Sequence, residues 1–168
     1  MPNLKEQFSR IYDEYIKKIY RFVYLKVESE DIAQDITSEA FIKGWDKFKS
    51  GEEIKNMQAF LFQIARNLVI DHYREKGRVR TISNQELQIP DPRMAVARQS
   101  QISSDMAQVK LALSEINEDY QDLIVLRYLD ELSIQEIAKV VGKSEGAVRV
   151  SLHRGMQDLK KRLENKGF

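Results

Sequence analysis

The stretch LSIQEIAKVVGKSEGAVRVSLHR, residues 132–154, decides the reading of the whole chain. Ser133 and Glu136 form S-x-x-E, the spacing at which a hydroxyl and a carboxylate each satisfy an orphan backbone donor at a helix start. Ile134, Ile137, Ala138 and Val141 follow at i, i+3, i+4 and i+7, one buried stripe of a short helix. Gly142 is placed to end that helix and Ser144 to cap the next, whose apolar stripe is Val148, Leu152, Met156, Leu159 and Leu163. Glu145, Arg149, Val150, His153 and Arg154 are left pointing outward. This is a helix-turn-helix, whose second helix in DNA-binding proteins enters the major groove. A plain pair of packed helices needs the same periodicity and the same glycine. Arg149, His153 and Arg154 together on the outer face favour DNA, because a helix built only for packing tends to carry self-pairing charges there.

Upstream of this motif, Asn117 caps a helix with Glu118 and Asp119 in its first turn, and a shorter helix begins near Asp105. Residues 105–168 therefore form one domain. Over 79–104 the periodicity fades into Ser, Asn and Gln, and Pro90 and Pro92 interrupt helix, which predicts a flexible linker. Residues 1–78 predict a second domain of three helices. The first has a broad apolar face over 4–27. Ser29, Glu30 and Asp31 open the next, which carries Ile36, Ala40, Phe41, Trp45 and Phe48. Asn56 caps the third, with Phe60, Leu61, Ile64, Ala65, Leu68 and His72 on one face, and Gly77 closes it. The expected fold class is all-α: two small helical domains joined by a flexible linker, the C-terminal one containing the helix-turn-helix. His72 reads as a half-buried helix residue, since no carboxylate or second histidine stands at ligand spacing on its face.

Composition removes several classes of function. The 168 residues include no cysteine, so disulfides and thiolate metal sites are excluded, and two histidines far apart make a zinc site a poor fit. No cofactor or metal is expected. The start, MPNLKEQFSRIYDEY, lacks a signal peptide's apolar run, and no stretch is apolar enough to insert in a membrane, so a soluble cytoplasmic protein is the expectation. Net charge is only +1, so binding to nucleic acid must rest on local segregation of charge. Between Glu28 and Asp46 six acids face one base, Lys43, and between Arg66 and Arg80 five bases face Asp71 and Glu75. An acidic element followed by a basic one suits a chain that meets a protein with one surface and DNA with another.

Three segments carry a resemblance. DITSEAFIKGW, residues 35–45, looks like the polymerase-binding helix of the extracytoplasmic function (ECF, group 4) sigma factors of bacterial RNA polymerase. FLFQIARNLVIDHYR, residues 60–74, resembles that family's promoter-melting and minus-ten helix, and residues 122–154, with LRYLDELSIQEIA inside, its minus-thirty-five reader. The resemblance covers nearly the whole chain outside the linker, and three motifs in the right order are far more specific than any one. Ser38 stands where many members have glutamine, a departure that bears on the polymerase contact at that position, whereas Val150 and His153 depart in the minus-thirty-five reader, which points to an unusual promoter sequence.

The resemblance implies a subunit that binds core polymerase and directs promoter-specific initiation, with no catalytic residues of its own. By it, Asp31, Asp35, Ser38, Glu39 and Ile42 would contact the core enzyme. Phe48, Lys49, Asn56, Gln63, Arg66, Asn67, Ile70 and Arg74 would meet minus-ten DNA. Lys143, Ser144, Glu145, Ala147, Arg149, Val150, His153 and Arg154 would meet minus-thirty-five DNA. Implied partners are the polymerase beta-prime clamp and beta flap, promoter DNA and an anti-sigma factor. The rival reading is a helix-turn-helix regulator that binds DNA independently of core polymerase. An enzyme acting on nucleic acid is disfavoured, because no paired carboxylates, metal cluster or nucleophile with an adjacent base can be assembled from these motifs.

Overall fold

The computed structural model describes residues 2–82 and 104–165, with the backbone alone at 78–82 and 104. Every regular element among them is helical, and the chain divides into two compact units, Met1–Gln99 and Ser100–Phe168.

In the first unit, Asn3 opens α1, Leu4–Tyr24, by accepting the Glu6 N–H at 2.9 Å. Phe8, Ile19, Phe22 and Val23 form its buried face, whereas Leu4 and Tyr12, expected on that face, stay largely exposed. A turn leads to α2, Glu30–Lys49, where Ser29 Oγ accepts from Ile32 N–H at 3.2 Å and Glu30 and Asp31 meet the positive helix end. Asn56 Oδ1 then accepts from Ala59 N–H at 3.0 Å and starts α3, Met57–Ile82. The core closes where Phe22 and Phe62, both fully buried, meet edge to face with centroids 5.5 Å apart. Burying each such ring contributes about 1.5–3 kcal/mol. Gly44 lets α2 approach α3, since a Cβ there would lie 3.0 Å from Leu61 Cδ2.

Gly77 does not close α3, which continues to Ile82. A glycine inside a helix costs only about 1 kcal/mol relative to alanine, and Gly77 lacks the positive φ that a glycine stop uses. The expected linker over 79–104 therefore begins as helix at 79–82 and ends in helix at 104; its remainder, 83–103, lies outside the described residues.

The second unit contains α4, Ser104–Ser114; α5, Glu118–Ile124; α6, Ile134–Val141; and α7, Glu145–Asn165. Asn117 Oδ1 caps α5 through Asp119 N–H at 2.9 Å. The sequence suggests that α5 continues through Leu126 and Arg127, but Val125–Leu129 widens into a π-helical turn, in which Asp130 N–H reaches Val125 C=O at 3.0 Å. Arg127 Nη1 then donates to Leu132 C=O at 2.9 Å and ties this turn to the entry of α6. Leu113, Ile116, Leu123, Leu126, Leu132, Ile137, Val140, Val148 and Leu152 build the core. Gly155 admits Tyr120 of α5 so closely that a Cβ would sit 2.9 Å from the tyrosine Cβ.

Candidate nucleic-acid interface

The helix-turn-helix is fixed at each of its joints by a local device. Ser133 Oγ accepts from Glu136 N–H and Glu136 Oε1 accepts from Ser133 N–H, both at 3.1 Å, which completes the capping box. Gly142, at φ 70°, turns the chain left-handed, and the N–H groups of Gly142 and Lys143 both return to Ala138 C=O. Ser144 Oγ then accepts from Ala147 N–H at 3.1 Å and opens α7. Val140 is buried and Val141 half-buried, so the inner stripe of α6 is rotated slightly from the one the spacing suggests.

On α7 the two faces separate cleanly. Val148, Leu152 and Gly155 are buried, while Lys143, Ser144, Glu145, Ala147, Arg149, Val150, His153 and Arg154 are all exposed. All eight residues expected to meet upstream DNA are therefore exposed, with one acid among four basic side chains, and Arg149, Val150, His153 and Arg154 share the side of α7 away from Val148 and Leu152. At the other side of α7, Met156, Leu159 and Leu163 join Val109 and Leu113 around an apolar cavity of about 560 Å³, beside the exposed Leu111 and Tyr128.

In the first unit, α2 presents Asp31, Asp35, Ser38, Glu39 and Ile42 to solvent. Positions 31, 35, 38 and 42 follow one helical stripe, opposite the buried Ala33, Ile36, Ala40 and Phe41. Ile42 is 59% exposed within this acidic face. Glu39 lies 3.9 Å from Lys43, an exposed pair that contributes little.

Of the eight residues expected at minus-ten DNA, Gln63, Asn67 and Arg74 are exposed and Arg66 and Ile70 half-buried along one side of α3. Asp71 is 4.0 Å from Arg74, and the Asn67 amide makes no hydrogen bond among the described residues. The other three lie in or beside the α2–α3 loop with structural partners. Phe48 packs on Phe8 and Trp45, with centroids 5.6 and 6.3 Å away. Lys49 stands 3.4 Å from Asp46, and Asn56 is the cap described above.

A polar cluster joins residues far apart in sequence, which no local pattern links. Glu28, in the turn between α1 and α2, accepts from His72 Nε2 at 3.2 Å and from Lys76 Nζ, both on α3. Beside it Tyr73 donates its hydroxyl to Lys26 C=O. Burial raises the Glu28 pKa, but hydrogen bonds from Lys76, its own backbone N–H and His72 outweigh that and hold it below the ordinary glutamate value. Among the described residues no group of three or more His, Asp or Glu side chains could hold a metal, and no helix is long and apolar enough to cross a membrane.

Comparison with known proteins places both units. Residues 11–79 match the model of sigma-70 region 2, and residues 106–159 match that of sigma-70, region 4. The ECF RNA polymerase sigma factor SigW of Bacillus subtilis is 31% identical, over 96% of this chain and 91% of its own length. BldN of Streptomyces coelicolor, also an ECF RNA polymerase sigma factor, is 30% identical over 94% of this chain, which spans 61% of BldN. Among solved structures, the sigma factor RpoE of Bartonella quintana, in complex with the anti-sigma factor NepR, superposes with a TM-score of 0.77. That match covers 94% of this chain and 97% of RpoE at 24% identity, and shows the fold. Two sigma-70 regions in their proper order, and a relative aligned along nearly its whole length, make this chain a member of the ECF RNA polymerase sigma factors, which direct transcription initiation.

Proposed function

We propose that residues 105–168 read the minus-thirty-five element through α7, while residues 1–78 bind core polymerase through α2 and open the minus-ten element along α3. The observation that carries this is the outer face of α7, where Lys143, Arg149, His153 and Arg154 are all exposed on or beside a rigidly capped helix. Basic side chains on such a helix meet phosphates and guanine edges in the major groove.

Core polymerase holds DNA without choosing a start site, so its partner must supply both choice and strand opening. The stripe Asp31, Asp35, Ser38, Glu39 and Ile42 suits the beta-prime clamp, with acids for steering and an exposed isoleucine to bury on contact. Unstacking a base step costs a few kcal/mol, which capture of an extruded base offsets. Asn67 is the group for that capture, with Arg66 and Arg74 for adjacent phosphates. Phe48, Lys49, Asn56, Gln63 and Ile70 would border that site. Ser144, Glu145, Ala147 and Val150 complete the upstream contact. The apolar cavity beside Leu111 and Tyr128 suits a helix of the beta flap or of an anti-sigma factor, the class of partner that RpoE carries. The protein would work in the cytoplasm.

Gel shifts of promoter DNA with and without core polymerase test the proposal. Specific binding and run-off transcripts should require core enzyme. Sequence-specific binding by the free chain, with no transcripts, would establish the rival DNA-binding regulator.

A further inference from the structure

The outer face of α7 is not uniformly polar. Val150 stands two residues from each of Val148 and Leu152, and at about 100° per residue that places it on the opposite side of the helix from both. It is 51% exposed, while Val148 and Leu152 are buried. Ala147, also exposed, lies one turn before it, and Arg149, His153 and Arg154, all exposed, flank the pair on the same side of the helix. A small apolar spot thus sits in the middle of a cationic face. Neither packing nor helix propensity explains a β-branched residue here, since the core of the unit does not use it and valine is a poorer helix former than alanine.

The only apolar feature a base pair shows in the major groove is the thymine 5-methyl group. We propose that Val150 is a specificity-determining residue that reads one thymine of the upstream promoter element by covering its methyl group. This rests on the proposed placement of α7 in the major groove and names one base that the helix selects there. Arg149 and Arg154 contribute guanine and phosphate contacts around it, and Val150 turns tolerance at one base pair into a preference for thymine.

The test uses the full chain with core polymerase. An upstream element is selected from a randomised promoter library, and each thymine in it is replaced in turn by deoxyuridine, which removes only the methyl group. At one position the wild-type holoenzyme should bind about three- to five-fold more weakly, the size expected for losing one buried methyl contact. Val150→Ala should weaken binding to the thymine promoter by a similar factor and show no further loss on the deoxyuridine promoter. An element without thymine, thymines that all tolerate deoxyuridine, or a methyl preference that survives Val150→Ala would overturn the assignment. Failure to select any upstream sequence would instead overturn the placement of α7 on which it rests.

Discussion

Glu28 and His72, 44 residues apart in sequence, meet at 3.2 Å and join the α1–α2 turn to the helix that carries Asn67. With Lys76 on the same carboxylate and Tyr73 on the neighbouring carbonyl, the latter part of α3 is held at three successive contacts.

Replacing Glu28 by Gln should lower the stability of the first unit by about 1–2 kcal/mol, because charged hydrogen bonds are strong but these are partly wet. The folded Glu28 pKa lies below its unfolded value. On acidification the unfolded chain therefore takes the proton first. The carboxylate's contribution is complete above the unfolded pKa and is lost as pH falls through the folded one. Urea titrations of both proteins should show a gap at neutral pH that closes in acid; a gap independent of pH would mean that Glu28 acts through shape alone.

Gly155→Ala and Gly77→Ala should move stability in opposite directions. A Cβ at 155 meets Tyr120 Cβ at 2.9 Å and Ile124 Cδ1 at 3.3 Å, whereas one at 77 meets nothing within 4 Å. Overpacking costs about 1–3 kcal/mol, more than the roughly 1 kcal/mol that alanine gains in a helix. The urea midpoint should fall for the first variant and rise for the second.

Arg149→Ala and Arg154→Ala separate base reading from phosphate contact. The first should cost about 1–3 kcal/mol on the preferred promoter and relax choice at one base pair. The second should weaken all promoters alike and reduce the salt dependence of binding by about one unit of slope. Holoenzyme binding to matched and scrambled upstream DNA at two salt concentrations checks both, and equal losses on all sequences for Arg149→Ala would assign that residue to the backbone.

Asp35→Lys reverses a charge on the exposed stripe of α2. Helix content should be unchanged and stability from urea titration should change by no more than about 0.5 kcal/mol, as expected of a surface substitution. Co-elution with core polymerase should weaken, most at low salt. Unchanged co-elution would remove Asp35 from the contact.

Local signals made much of the fold legible. The capping box, Gly142 and Ser144 act over three or four residues, so the helix-turn-helix can be read almost position by position, as can the caps at Ser29, Asn56 and Asn117. Gly77 shows the limit of such reading: an isolated glycine looks like a stop, yet only the backbone angle decides. The π turn at Val125–Leu129 has no sequence signature among ordinary apolar residues. The Glu28 cluster was illegible for a different reason, since its partners lie more than forty residues away and only packing brings them together. Gly155 did leave a trace, a residue without a side chain in a helical stripe of large ones, which marks a close approach.

The joints around α6 and α7 have a practical outcome for rewiring promoter choice. Because the capping box, the left-handed glycine and the seat of Tyr120 on Gly155 set the orientation of α7 within its unit, the helix proposed to read the promoter is unsuited to transplantation by itself. A chimera that exchanges 145–154 alone would inherit the side chains but not their aim; one that carries 117–165 as a cassette would bring both.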